Sequence, residues 1–279
     1  MQSYWKRAKY LAIAVGMAAT SIVASAPAQA RTLAGQQELV DRATLALDEV
    51  LGSVEAGKAR EILPNARAVM ICPRVFRAGL FLFGGEGGGC VLLARGGQGT
   101  WSAPAFYSMF GGMFGPQIGV QDAALVMMIM RPAALRAVMD TQFRLGADAS
   151  LALIVVGADI QGATTAALNA DIVAFAKTRG LFGGISLQGS VMSADSAGNE
   201  VYYGQPVGPI DIVMAMRINN PGADPLRAAL MRYNSPPART YAAAPAYTAP
   251  AAYTPEPPPS PGYAASPAPV QQQSLAPPR

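Results

Sequence analysis

The sequence predicts an α+β fold: a mostly antiparallel sheet, curled or barrel-like, covered by N-terminal and C-terminal helices. Three observations carry this reading. An apolar stripe of helical period runs through Gln36–Val54. From residue 68 onward, short apolar segments alternate with close Gly, Pro and Asp turn signals. Helical spacing returns as a closing pair of segments near residues 211–233. Helices segregated from a run of strands make an α+β domain rather than an alternating α/β one.

Each element has its own signal. Leu39, Ala43, Leu47, Val50, Leu51 and Val54 share one helical face, and Asp41, Arg42, Asp48 and Glu49 largely face outward. Ala56–Leu63 predicts a second short helix stopped by Pro64, because proline cannot continue a helix interior. Ala68–Cys72 is a short strand. Gly79–Phe83 and Val91–Ala94 flank the run Gly84–Gly89, which predicts a hairpin turn. Gly99–Met109, Gln117–Val120 and Ala124–Met130 continue the strands; the last is almost continuously apolar, as in a strand buried on both faces. Pro132–Thr141 predicts a helix, with proline in the first turn, where its missing N–H is harmless. Phe143–Ile160, Ala170–Thr178, Leu181–Ser193 and Val201–Tyr203 are further strands, and Asp211–Met216 and Asp224–Tyr233 are the closing helices.

The two ends differ from this body. Lys6, Arg7 and Lys9 precede the apolar Leu11–Ala24 and the small-x-small site Ala28-Gln29-Ala30. This layout predicts a signal peptide over residues 1–30, cleaved near Ala30, because the apolar run is shorter than the roughly 20 residues of a membrane span. The mature protein is therefore expected to be periplasmic or secreted. Residues 235–279 are rich in Pro, Ala and Tyr and carry only Arg239, Glu256 and Arg279 as charges. Such a segment buries too little to offset chain entropy and predicts a disordered tail. The domain between them spans 31–234.

Charge and composition exclude several functions. Cleavage removes three cations and no acid, lowering the formal charge from +4 to about +1. No nucleic-acid footprint is expected, since that needs a strong basic excess on one face. The chain has no histidine, which rules out histidine-based acid–base and triad chemistry. Asp122, Asp140, Asp148, Asp159, Asp171 and Asp211 fall at loops or element ends, where Asp caps and turns. The chain is therefore read as not an enzyme and without a cofactor. Two cysteines and no histidine cannot complete a zinc tetrahedron, so no metal is expected. Cys72 and Cys90 lie in apolar strand segments of an exported chain, which predicts a disulfide; two buried free thiols are the other reading.

Several motifs have a packing reading and a chemical one. Gly84–Gly89 lacks the following helix and Lys of a phosphate loop and reads as a hairpin. Met127, Met128 and Met130 read as core. Trp101–Tyr107 reads as core plus a turn at Pro104, against an amphipathic rim for lipid. Two clusters join cations to an aromatic: Arg74 and Arg77 around Phe76, and Lys177 and Arg179 before Leu181-Phe182. A basic–aromatic turn suits an anionic lipid headgroup with acyl chain beneath it; solvated turn charge is the alternative.

The ordered motifs resemble the SYLF domain family. They are Arg95 with Trp101-Ser102-Ala103-Pro104-Ala105-Phe106-Tyr107, Gly115-Pro116-Gln117-Ile118-Gly119, Gly146–Ser150, and Lys177–Gly204 with its Leu181–Ser190 and Asn199–Gly204 segments. Together they cover roughly residues 36–220. The resemblance implies a lipid-binding domain, with phosphoinositides bound by eukaryotic members and actin engaged by some of them through added regions. Gln188 stands where many relatives have Glu, Leu151–Val156 is more apolar than the family pattern, and Cys72 and Cys90 are additions. The expectation is an exported, non-catalytic domain that contacts anionic lipid or a lipid-like amphiphile through Arg74, Phe76, Arg77, Lys177, Arg179 and Phe182. The alternative is a scaffolding envelope protein whose Pro-rich tail recruits a partner.

Overall fold

The computed structural model describes residues 31–53, 56–140, 142–157, 169–180 and 187–234. The predicted signal peptide (1–30), the Pro-rich tail (235–279), Phe182 and the Gly183-Gly184 step lie outside them.

The first helix, α1 (Leu33–Leu51), begins where the Thr32 side chain accepts a hydrogen bond from Gly35 N–H. Of its predicted stripe, Ala43, Leu47, Val50 and Leu51 are buried, Leu39 is half-buried and Val54 lies outside the described residues; Val40 joins the buried face. A short helix, α2 (Gly57–Ile62), follows and passes into a 3-10 turn at Leu63–Asn65. The sheet then begins.

Two strands dominate the sheet. β1 (Ala68–Ala94) pairs antiparallel with β2 (Ala105–Ile129), from Ala68 opposite Ile129 to Leu92 opposite Ala105. Extended strands rise about 3.3 Å per residue, so Cys72 and Cys90 should be about 60 Å apart. Their Cα atoms are 4.1 Å apart, and their sulfurs form the expected disulfide. β1 therefore doubles back on itself. The reversal lies at Phe81, whose φ is +57°, next to a register shift between Phe81 and Phe83. Arg95 N–H donates to Arg67 C=O at 2.8 Å and closes the two limbs at the base. β2 stays paired with β1 along both limbs and so doubles with it.

The run Gly84–Gly89 is consequently not the turn that its composition predicts. These residues are paired strand, from Gly84 opposite Met113 to Gly89 opposite Ser108. Glycine serves close approach here: a Cβ on Gly88 would lie 2.2 Å from Arg74 O of the other limb. The separately predicted segments from Ala68 to Ala94, and from Gly99 to Met130, give one doubled ribbon, whose second strand spans Ala105–Ile129.

The rest of the sheet flanks this ribbon. β5 (Ile172–Gly180) pairs with Gln121–Ile129 of β2 and, in parallel, with β4 (Leu151–Val155). β6 (Val191–Ala194) pairs with Tyr107–Phe110 of β2 and with β3 (Gln142–Arg144). The sheet order is β3-β6-β2-β5-β4, with β1 paired to β2 off that path. A helix, α3 (Pro132–Val138), links β2 to β3. Helix α4 (Ser196–Tyr203), a π-helical turn at Ile210–Met214 and helix α5 (Asp224–Asn234) complete the described chain.

Side-chain alternation along the strands splits the core in two. Val69, Ile71, Leu93, Val126 and Phe175 pack against α1 and α5 residues such as Leu47, Leu51, Leu226 and Leu230. Met70, Cys72, Leu92, Leu125 and Met127 face the other way, toward Val138, Phe143, Met192 and Ile212. Met127 and Met128 are thus core, as expected. The fold class is the predicted one: α+β, with a strongly curled sheet and helices at both ends.

Three predicted strands are corrected. Of Leu181–Ser193, residues 181–186 lie outside the described set, residues 187–190 form a turn, and only Val191–Ser193 is strand, within β6. Val201–Tyr203 belongs to α4, because the Asp195 side chain caps Gly198 N–H and Gly204, at φ +69°, ends the helix. Phe143–Ile160 contains two short strands, β3 and β4, broken at Gly146 (φ +80°); its last residues, 158–160, lie outside the described set.

Candidate functional site

The basic clusters do not behave as a unit. Arg74 is 60% exposed, and its guanidinium makes a two-pronged contact with Asp122, Nε–Oδ1 2.9 Å and Nη2–Oδ2 3.0 Å. The same guanidinium lies 6.0 Å from the Phe76 ring centre, and Phe76 is 46% exposed. Hydrogen bonding and the Asp122 charge raise the Arg74 pKa, so it stays a cation at any relevant pH.

Lys177 and Arg179 stand on β5 opposite Ala124 and Asp122 of β2. They point to one side of the sheet, as residues two apart in a strand must. Both pair with Glu49 of α1: Lys177 at 3.9 Å, and Arg179 in direct contact. Phe76, Asp122 and Arg179 occupy one cross-strand row. Arg74, Lys177 and Arg179 thus converge on one rim, with Arg42, Glu49 and Asp122 around a cleft of about 300 Å³ between α1 and the sheet. A wider groove of about 930 Å³ adjoins it, lined by Leu39, Arg42, Arg74, Phe76 and the Gly87–Gly89 backbone.

Arg77 is a correction. It is 4% exposed and bound to Glu86 on the other limb of β1, with Nε–Oε2 at 3.0 Å. Glu86 is 8% exposed and also accepts a hydrogen bond from Ser190. The sequence places Arg77 and Glu86 nine residues apart across an apparent turn; the doubled strand brings them face to face in the interior. Arg77 therefore cannot reach a headgroup. Phe182 lies outside the described residues, so four of the six predicted contacts (Arg74, Phe76, Lys177, Arg179) are placed on the rim.

The structure adds a feature that the sequence reading missed. Beyond the Arg77–Glu86 pair, the ribbon runs on as a tip. Leu80, Phe81, Leu82 and Phe83 are 62%, 72%, 49% and 71% exposed, and Phe114, Ile118 and Val120 are 78%, 72% and 57% exposed. Phe83 and Phe114 touch edge-on, with ring centres 5.4 Å apart. The signal was present as charge: no charged residue lies between Arg77 and Glu86, or between Arg95 and Asp122.

Several of the ordered motifs, by contrast, hold the base together; Gly115-Pro116-Gln117-Ile118-Gly119 lies in the tip. Arg95 lies over Trp101, 4.6 Å from the ring, and donates to Ala66 O and Leu63 O at 3.0 and 2.9 Å. The buried Asn199 Oδ1 accepts from Phe106 N–H at 2.9 Å, and the Tyr203 hydroxyl donates to Pro104 O at 2.6 Å. Tyr202 packs on Phe106, and burial pushes its phenol up to about 12. Ser150 donates to Asp171 through its N–H and hydroxyl, which lowers the Asp171 pKa. The Trp101–Tyr107 segment is core, not a lipid rim: Trp101, Phe106 and Tyr107 are all buried.

Among the described residues, no helix is long and apolar enough to cross a membrane. No cluster of three or more His, Cys, Asp or Glu among them could hold a metal ion.

Residues 110–233 match a family model described as Ysc84, Las17-binding protein actin regulator. The chain is similar to protein YSC84 of Saccharomyces cerevisiae, 31% identical over 169 residues, 59% of this chain and 36% of that protein. LAS seventeen-binding protein 3 of the same species is 30% identical over 170 residues, 60% of this chain and 36% of that protein. SH3 domain-containing YSC84-like protein 1 of Xenopus laevis is 34% identical over 132 residues, 47% of this chain and 39% of the relative. The chain spans less than half the length of these relatives.

Proposed function

We propose, because this chain belongs to the SYLF (Ysc84-type) domain family, that it is a non-catalytic module contacting an anionic lipid surface in the cell envelope. The observation that carries the reading is the convergence of Arg74, Lys177 and Arg179 with Phe76 on one exposed rim. Cations beside an aromatic suit a phosphate with acyl chain below it. Export through residues 1–30 would deliver the domain to that surface. Glu49 and Asp122 hold the cations in place while no anion is bound; a lipid phosphate would compete with them.

The test is co-sedimentation of the purified protein with phosphatidylcholine vesicles, with and without phosphatidylglycerol. Binding should require the anionic lipid and weaken as salt screens exposed charge. Each cation at an anionic surface contributes about 1 kcal/mol, so Lys177→Gln with Arg179→Gln should weaken binding roughly thirtyfold. Glu49→Gln should strengthen it by releasing both cations. Equal pelleting with neutral and anionic vesicles, or none, overturns the charge-based reading.

A second reading rests on the relatives' names, which describe proteins that bind Las17. On it, the Pro-rich segment 235–279 would capture a protein partner. Deleting that segment should leave vesicle binding intact and abolish partner capture.

A further inference from the structure

We infer that the apolar tip of the doubled β1–β2 ribbon is a membrane-insertion element, entering the headgroup–acyl boundary of the bilayer that the basic rim contacts. This rests on the lipid reading above and specifies how that contact is made.

Four observations lead there. The first is shape. The pairings of β2 with its neighbours stop at Phe110 on the β6 side and at Gln121 on the β5 side. Residues 111–120, with Ala78–Glu86 opposite them, therefore project past the flanking strands among the described residues. The second is which side chains are bare. Leu80 to Phe83 are four consecutive residues, all exposed. Phe114, Ile118 and Val120 of the other strand are exposed as well, so both strands of the tip carry bare apolar side chains. A rigid protein partner covers one face; a fluid acyl layer surrounds a tip from every side.

The third observation is charge. The tip carries none, and the two charges at its root, Arg77 and Glu86, are buried against each other. The first exposed charges back from the tip are the rim pair Arg74 and Asp122. Arg74 is seven residues from Phe81, about 23 Å of extended chain and less for a tilted ribbon. With the ribbon strongly tilted toward the membrane plane, Arg74 would meet the phosphate layer as the tip enters the acyl boundary. Insertion is shallow, about 5–10 Å, as for other interfacial elements, because the outer backbone edges of a deeper strand would lose water without gaining a partner.

The fourth is Phe81 itself. It turns the ribbon at φ +57°, a conformation that bulky residues avoid. Glycine would fit without strain, and the adjoining segment is rich in it. A phenylalanine that is 72% exposed and held in a strained turn does nothing for the core. Strain of this kind concentrates at functional positions.

The experiment uses tryptophan as a reporter, since Trp101 is buried. Phe81→Trp protein is mixed with phosphatidylcholine–phosphatidylglycerol vesicles, and its fluorescence is read against wild type. A blue shift is expected, with quenching by lipid brominated near the headgroup stronger than by lipid brominated near the chain end. The triple variant Phe81→Ser, Phe83→Ser, Phe114→Ser should lose at least tenfold in partitioning, and its remaining binding should be abolished by salt.

If wild type pellets with anionic vesicles but the Phe81→Trp signal is unshifted, the tip stays outside, and only the rim reading survives. If wild type does not pellet at all, the lipid reading fails and this inference fails with it. If the shift appears without vesicles and sedimentation shows a dimer lost in the triple variant, a second copy covers the tip and the inference is wrong. Should the triple variant not fold, the Phe81→Trp result decides alone.

Discussion

The base and the tip of the doubled ribbon are built from the same two strands and follow opposite rules. At the base, Met70, Cys72, Cys90 and Leu92 are no more than 2% exposed, because β5, β6 and the helices cover both faces. At the tip, Phe81, Phe83 and Phe114 are more than 70% exposed, and the flanking strands have ended. Most of the motifs that carry the resemblance work at the base, with Arg95 over Trp101, Asn199 on Phe106 and Tyr203 on Pro104, while Gly115-Pro116-Gln117-Ile118-Gly119 lies in the tip. A strong resemblance can therefore report how a chain folds while saying little about what it touches. Base and tip should separate cleanly under mutation, with stability lost at one and surface binding at the other.

The largest expected effect sits at the boundary. Arg77→Ala leaves Glu86 buried with, among the described residues, only the Ser190 hydroxyl as a side-chain hydrogen-bond donor. Breaking a buried ion pair by removing one partner costs about 3–5 kcal/mol. The denaturation midpoint should fall accordingly, and replacing both residues by Met should recover much of it. If Arg77→Ala melts like wild type, the pair is not the root that holds the two limbs. Next comes the disulfide. It closes a segment with a sequence separation of 18, which in the chain-entropy model corresponds to about 3 kcal/mol. Reduction should lower the midpoint by that order, and alkylation without reductant should label neither cysteine. Two labels in the unfolded, non-reduced protein would refute the bridge.

Burial of the base tyrosines gives a smaller, pH-dependent effect. Tyr202 is pushed up to about 12, and Tyr107 and Tyr203 are also raised, in each case first by burial. The raised folded-state pKa favours the neutral phenol, so this contribution is complete below about pH 10, the unfolded value. It is lost as pH rises from there toward the folded values. The denaturation midpoint should fall steeply above pH 10, and a phenolate absorbance change should accompany unfolding. Phenolate formation in the folded protein near pH 10 would contradict the burial.

Helices α1, α2, α3 and α5 and the disulfide were legible in the sequence; α4 and the doubling were not. Helical period exposes α1 and α5 because one face of each must be apolar. Gly84–Gly89 misled because glycine serves turns and close backbone approach alike, and only the second limb shows which. Val201-Tyr202-Tyr203 has strand-like residues, yet the Asp195 cap and Gly204 enforce a helix. Arg77 looked like Arg74 because a strand that returns on itself leaves no periodic mark at a spacing of nine. For the rim, charge and alternation were enough to bring Lys177 and Arg179 to one side, but their common partner, Glu49, comes from a helix far away in sequence.

The smallest effect on stability should come from the tip, and its sign is informative. Phe81 holds a left-handed backbone conformation, which costs a non-glycine residue roughly 1–2 kcal/mol. Its ring is mostly in water, so truncation forfeits little buried area. Glycine restores the turn but adds freedom to the unfolded chain, which takes back about 0.5–1 kcal/mol. Phe81→Gly should therefore leave stability unchanged or raise it by up to about 1 kcal/mol, measured by urea denaturation. The same variant should partition less onto anionic vesicles, which separates it from every base variant. If Phe81→Gly destabilises the protein by several kcal/mol, the aromatic is a packing residue after all, and the contrast between base and tip collapses.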